Sequence, residues 1–280
     1  MMIKERFSEK SIVLLVVWLS AFGMPIMLSA TNVAIPVVAD QFDLNASQIA
    51  WIPMSYLMAS VMFVLIFGRL ADALGKKKIF LTGLLVLSFS SIFVALANSG
   101  SILLLGRFLQ GIGAAMLYAT QTAMVSSVYP AKERGKAIGI TLSAVYLGLA
   151  LGPTLGGIVM EYLNWRLNFV LHLPLTLIII ALIHQVPNDS DNQLSKEFKF
   201  DKAGSTLYAT SIVLLCFGVS NLPDSNSLVL LSLFLVTAAL FVKHSLKYPF
   251  PIWDLRIFRN NTMLTKSCLA SFMMYAATYS

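Results

Sequence analysis

The sequence predicts an all-α integral membrane protein: a six-helix bundle, two further transmembrane helices and part of a ninth. Three observations carry this expectation. Hydrophobic residues make up 58% of the chain and charged residues 12%, against roughly 45–50% and 25% in a soluble domain. The charges are clustered, leaving uncharged runs over Ser11–Ala39, Leu44–Gly68, Ile79–Gly106, Phe108–Ala131, Ala137–Met160, Leu167–Asn188, Ala203–Pro223 and Ser225–Val242. Each run has the roughly 17–25 residues a helix needs to cross the hydrocarbon layer. Backbone in lipid must satisfy its own hydrogen bonds, so such runs become helices. Finally, the runs lack the polar face that helices around a large soluble core would carry.

The elements follow in order. A short N-terminal segment, 1–10, precedes a helix over 12–36. Its apolar part far exceeds the roughly 7–15 residues of a signal-peptide core, so it reads as a retained spanning helix. Helices follow at 47–68, 78–98, 101–128, 136–160 and 167–186, completing a bundle over 11–186. The polar stretch "PNDSDNQLSKEFKFDKAG" contains a linker, 187–203. Helices at 204–221 and 227–243, a loop over 244–261 and an incomplete helix over 262–280 complete the chain.

The basic residues orient it. Eighteen of the 20 Lys and Arg fall in alternate connections, around Lys4, Arg69, Lys132, Lys196 and Lys243. Cytoplasmic loops collect Lys and Arg, so the N-terminus is expected inside, with Lys132 and Ser195 inside and Ser47 and Ser99 outside. The net charge of +7 then reflects orientation and contact with anionic lipid, with no call for nucleic acid. The plasma membrane is the expected location. Cys216 and Cys268 lack ligand-like spacing, so no disulfide, metal site or cofactor is expected.

Three segments carry chemistry. The joint "GRLADALGKKKIF", residues 68–80, sets Gly68, Arg69, Asp72, Gly75, Lys76 and Lys77 between two apolar runs. Gly75 suits a helix stop. Asp72 sits near the electronegative end of a helix, where an anion is disfavoured by ~0.3–1 kcal/mol. It therefore needs a cation, such as Arg69 or Lys76, or the N-terminus of another helix; the other reading is a solvated loop. In "GRFLQGIGAA", residues 106–115, Arg107 is an ionisable group within a spanning helix and a functional candidate for that reason. Its alternative is snorkelling to the nearby outer surface. In "YLGLALGPTLGGIVM", residues 146–160, Gly148, Gly152 and Gly156 recur every fourth residue, and Gly157 is read as extending the stripe. Such spacing lets helices pack backbone to backbone, and Pro153 removes a bond to the carbonyl of Leu149. A moving interface and static close packing are both consistent with it.

Taken in order, these segments resemble the major facilitator superfamily. The first looks like its signature after helix 2, the second like its helix 4 arginine motif and the third like its helix 5 antiporter motif. "NVAIPVVADQF", "WIPMSYLMA" and "NWRLNFVLHLPL" extend the match. "FDKAGSTLYATSIVLL" and "PIWDLRIFRN" resemble the region joining the halves in the 14-helix drug:proton antiporter branch. The resemblance implies a cytoplasmic gate at Asp72, proton coupling through Arg107 and a helix 5 interface at Gly148, Gly152, Pro153, Gly156 and Gly157.

The chain departs from that pattern at Met27, where the branch usually has an acidic residue. No Asp or Glu lies deep in a complete helix, so His172, where asparagine is common, and His184 are the remaining intramembrane proton-carrier candidates. Asn32, Tyr56, Gln110, Tyr118, Gln121 and Tyr146 are candidates for a cavity lining.

The expected function is secondary efflux of amphipathic or cationic small molecules by proton antiport. A metabolite carrier of the same fold and a non-transporting scaffold or membrane enzyme are the alternatives. Without a Walker A loop, an HExxH pair or a G-x-S-x-G stretch, ATP-driven and hydrolytic readings are disfavoured. Because the family's fold uses two bundles, the 280 residues are expected not to transport alone and to be a truncated or split gene product, with a homodimer of half-transporters as the rival.

Overall fold

The computed structural model describes residues 9–186 and 199–279. The chain divides into two compact units, Met1–Phe198 and Lys199–Ser280. The first contains α1 (Glu9–Gln41), α2 (Ala46–Leu74), α3 (Lys76–Ala95), α4 (Gly100–Val128), α5 (Ala131–Tyr162), a 3-10 turn (Trp165–Val170) and α6 (Leu173–Ile183). The second contains α7 (Lys202–Ser220), α8 (Ser225–Lys247), a short α9 (Arg256–Asn260) and α10 (Thr262–Tyr279). Among the described residues, eight helical segments are long and apolar enough to cross a membrane. The fold is that of an all-helical membrane bundle.

Three elements differ from the sequence expectation, the simplest being that the expected loop 244–261 contains the short α9. The second helix runs on to Leu74, so the joint is one residue long. Gly75 stands at φ 100°, closes α2 by donating its N–H to Ala71 O at 3.0 Å, and starts α3 at Lys76. Only glycine adopts that backbone without strain. The expected helix 167–186 is broken into a 3-10 turn and a shorter α6. Asn164 begins the turn by accepting from Arg166 N, and Pro174 near the start of α6 has no N–H to continue it.

Within the first unit, α4 is central. It packs on α2 and α3, while α1 packs on α5 and also reaches α4 and α6. One apolar core gathers Val13, Val17 and Met24 of α1, Leu84 and Leu87 of α3, Leu117 of α4 and Ile179 of α6. A second, towards the other end, gathers Val38, Ile52, Leu103, Trp165 and Phe169. Large apolar side chains such as Phe89 and Leu177 stand on the outside. Lipid, as apolar as they are, is their natural surrounding.

Both ends are tied by polar contacts. At the basic end Lys77 Nζ donates to Val186 O at 2.6 Å, just past α6, and Lys10 pairs with Glu133 at 3.1 Å. That pair is solvent-exposed and contributes little. At the opposite end Trp165 Nε1 donates to Gln41 Oε1 at 2.6 Å and Arg166 Nη2 to Ala97 O at 3.1 Å.

In the second unit α7 and α8 form an antiparallel hairpin, because Tyr208 meets Phe241 and Ser211 meets Thr237. Asp201 caps α7 by accepting from Gly204 N at 2.8 Å. The same carboxylate bonds His244 of α8 at 2.8 Å and accepts from Ile252 N at 3.4 Å. Beyond α8, hydrogen bonds from Arg256 hold the Asp254 carboxyl below its usual range.

Candidate functional site

The centre of the first unit is a polar cluster built on α4. The Arg107 side chain is fully enclosed. It turns inward and does not snorkel to the helix end. Its Nε donates to Ile52 O of α2 at 3.1 Å, and its Nη1 donates to Gln110 Oε1, one turn along α4, at 2.9 Å. The guanidinium carbon lies 4.7 Å from the Tyr56 ring centre and 5.9 Å from that of Phe169. Placing arginine at the centre of a membrane helix costs ~2.5–3.5 kcal/mol on insertion scales. A hydrogen bond to a charged group contributes about 1.5–3 kcal/mol, so the two bonds are of the size needed to hold it there. The remaining nitrogen, Nη2, is buried without a partner among the described residues.

Gln110 extends the cluster. Its Nε2 donates to Ser91 Oγ of α3 at 2.7 Å and lies 3.6 Å from Met27 Sδ of α1. Ser91 in turn donates to Leu87 O. Met27, the position where the resemblance leads one to expect an acid, thus faces the amide that binds Arg107. The first unit buries no carboxylate among the described residues, so the guanidinium has no counter-anion there. Outward from the cluster, the Tyr56 hydroxyl meets that of Tyr118 at 3.4 Å, and Tyr118 is 45% exposed. The exposed Tyr118 is thus linked by its hydroxyl to Tyr56, whose ring lies against Arg107.

The other cavity candidates separate into two groups. Asn32 and Tyr146 are exposed on α1 and α5. Gln121 is buried and donates to Ser20 Oγ at 2.9 Å, so its amide serves the α1–α4 contact and lines no open surface. Gln110 is occupied in the same way. Sequence reading missed Ser20, Ser91 and Asn168, single small polar residues in apolar helices. Asn168 Nδ2 lies 3.3 Å from Ala30 O and 3.4 Å from Gly156 O. His172 is 2% exposed with both ring nitrogens unpartnered, whereas His184 is exposed. A buried polar group left without a partner costs about 1–3 kcal/mol.

The glycines of α5 meet α1 at backbone distance. A Cβ built on Gly148 would lie 2.5 Å from Phe22 O, on Gly152 2.5 Å from Ser29 Cβ, and on Gly156 2.8 Å from Ala30 Cα. The carbonyl of Leu149, freed by Pro153, accepts from Ser29 Oγ at 3.1 Å. The proline's lost bond is thus replaced by the neighbouring helix. Gly157 corrects the sequence reading: nothing lies within 4 Å of its Cβ position. Nine residues of helix turn it about 180° away from Gly148, so it lies outside the α1-facing stripe.

At the joint, Gly68 and Arg69 are partly buried, Gly75 is buried and Asp72 is exposed. Among the described residues the Asp72 side chain makes no hydrogen bond or ion pair, including with Arg69 or Lys76. Lys77 holds the end of α6. The acidic residue stands in the last turn of α2 and the three lysines in the first of α3, each disfavoured by its own helix dipole.

Residues 17–280 match the profile of the Major Facilitator Superfamily. The chain is 31% identical over 253 residues to the riboflavin transporter RibZ of Clostridioides difficile, covering 90% of this chain and 55% of that protein. It is 30% identical over 253 residues to the multidrug resistance protein Stp of Mycobacterium tuberculosis, covering 87% and 47% respectively. With multidrug resistance protein 3 of Bacillus subtilis it shares 29% identity over 251 residues, covering 87% and 48%. The chain thus spans about half the length of these curated relatives. The membrane-crossing helices, the ordered motifs and the matched span together place this chain in the major facilitator superfamily.

Proposed function

We propose that residues 9–186 form one bundle of a secondary active transporter that exports amphipathic small molecules by proton antiport across the plasma membrane. The supporting observation is the enclosed Arg107 cluster, joined through Tyr56 to the exposed Tyr118. Structural packing alone does not call for a cation in an apolar bundle. A guanidinium held by neutral groups, with one donor unpartnered, can exchange partners as a cargo or proton arrives. The relatives named for multidrug resistance support an efflux reading. In this proposal Asp72 belongs to a gate that closes against a second bundle. Transport needs that bundle, whether from further polypeptide or from a second copy of this chain. His172 is the candidate proton carrier, and the basic end faces the cytoplasm.

A second reading has its own support. With Met27 beside Gln110 and no buried carboxylate, the cluster suits a neutral or anionic metabolite better than a cation. The relative named as a riboflavin transporter points the same way.

Reconstitution of a two-bundle form in liposomes tests both. Proton-gradient-driven flux of a lipophilic cation supports the first reading, flux of a neutral heteroaromatic metabolite alone supports the second, and no gradient-dependent flux of either rejects both. For orientation, single cysteines at Ser47 and Lys132 are offered to an impermeant thiol reagent on intact cells. Labelling at Ser47 only is expected, and the reverse pattern overturns the assignment.

A further inference from the structure

A groove runs between the first turns of α1 and the start of α5. Its inner part, of about 290 Å³, is walled by Leu14 and Trp18 of α1 and Ile140 of α5. Its outer part, of about 470 Å³, shares Leu14 and Ile140 and opens at the basic end between Tyr129, Glu133 and Lys136. The two parts make one slot with an apolar depth and a charged mouth. Along α1 its wall runs from Ser11 to Trp18, about 10 Å of helix, within the ~15 Å hydrocarbon depth of one leaflet. Apolar walls at that depth are covered by apolar matter, and the mouth selects which kind.

The charges at the mouth favour an anion. Residues 132–136 set Lys132, Arg134 and Lys136 against Glu133. Glu133 is already paired with Lys10 at 3.1 Å, and the Lys10 ammonium lies 5.6 Å from the centre of the Tyr129 ring. Arg134 is held beside the mouth by its Nε, which donates to Tyr129 O at 2.9 Å. Lys136 is exposed, and its ammonium makes no hydrogen bond or ion pair among the described residues. A lysine can lay its stem along an apolar wall and keep its charge at the surface. A second copy docked here about a two-fold axis would set this cluster against itself, so like charges oppose that occupant.

We propose that the groove binds one anionic phospholipid of the adjoining leaflet, with its phosphate at Lys136 and an acyl chain between Leu14, Trp18 and Ile140. A single amphipathic anion thus meets both the apolar depth and the unpaired cation. Diffuse attraction of anionic lipid to a basic surface fixes neither the chain nor the headgroup, whereas this groove fixes both. The inference needs only the membrane-crossing fold and does not depend on a cargo or on proton coupling.

The test reconstitutes the chain in phosphatidylcholine bilayers containing a minor share of phosphatidylglycerol, with bromine on the acyl chains of one lipid or the other. Bromine quenches tryptophan on contact, and the Trp18 signal is the difference between the chain and its Trp18→Phe variant. Per molecule, brominated phosphatidylglycerol should quench Trp18 several-fold more than brominated phosphatidylcholine. Lys136→Gln should lower that preference about fivefold, the worth of one basic residue near an anionic surface, and Lys136→Arg should keep it. Lys78→Gln, at the same end but on α3, should leave it unchanged. Equal quenching by the two lipids, an unchanged preference in Lys136→Gln, or an equal loss in Lys78→Gln overturns the proposal. Soluble glycerol phosphate should not relieve the quenching; relief would assign the mouth to a free phosphate. The preference should persist in a two-bundle form, and its loss there would assign the groove to the second bundle. Either of these results also overturns the lipid site.

Discussion

Asp72 at the α2–α3 joint and the enclosed Arg107 of α4 carry opposite charges in opposite ways. Asp72 stands exposed, without a partner, at a helix end that disfavours it. Arg107 is enclosed, bonded to two helices and stacked near aromatic rings. The bundle therefore completes most of the arginine's environment and none of the aspartate's. A charge that its own fold leaves unsupported is suited to a partner outside the fold. One that the fold supports through neutral groups is suited to a change of partner inside it.

The largest effects should come from the arginine. In a transport-competent form, Arg107→Leu should lower flux by about 5- to 150-fold, the range of a 1–3 kcal/mol coupling. Thermal stability should fall only modestly: the change leaves Gln110 Oε1 without its donor, and removal of the buried charge offsets part of that cost. Gln110→Leu should behave differently. It leaves Arg107 Nη1 without its acceptor and should destabilise the bundle by about 1–3 kcal/mol, read as a lower melting temperature in detergent. Equal melting of the two variants would break the distinction between a cation and its support.

The next effect tests whether the α1–α5 seam is as closely packed as the centre. Gly156→Ala places a carbon against Ala30 backbone and should cost about 1–3 kcal/mol. Gly157→Ala, facing open space, should be neutral or gain up to ~1 kcal/mol from helix propensity. Similar melting temperatures for the two would remove the glycine stripe from the account.

The smallest effect on stability belongs to the joint. Asp72→Asn should change it by less than ~0.5 kcal/mol, while flux of the two-bundle form falls about fivefold, near the lower end of coupling energies. Unchanged flux would return Asp72 to a solvated helix end.

Sequence patterning made the fold legible because lipid imposes a simple rule: length and apolarity make a helix. The uncharged runs locate each of α1 to α8 but not all of their ends: the run Ile79–Gly106 covers most of α3 and the start of α4. The exceptions have local causes. Gly75 permits a one-residue joint, so α2 keeps its helix through Arg69 and Asp72. The sixth span breaks at a 3-10 turn where Asn164 accepts from Arg166 N and where Trp165 and Arg166 have partners at other elements. The glycine spacing at 148, 152 and 156 was readable as one face, whereas Gly157, read as part of the stripe, faces open space.

The sequence by itself determined that Arg107 lies in a spanning helix and that no acid accompanies it. Only the tertiary structure decided which way the side chain turns, since snorkelling and burial share one sequence. That choice rests on acceptors from α2 and α4 brought together at 3.1 and 2.9 Å. It likewise decided that Gln121 binds Ser20, that Ser29 replaces the bond lost at Pro153, and that His172 is buried. Hydrogen bonds act over about 3 Å, and residues 101 or 120 positions apart come within that reach only once the helices have packed.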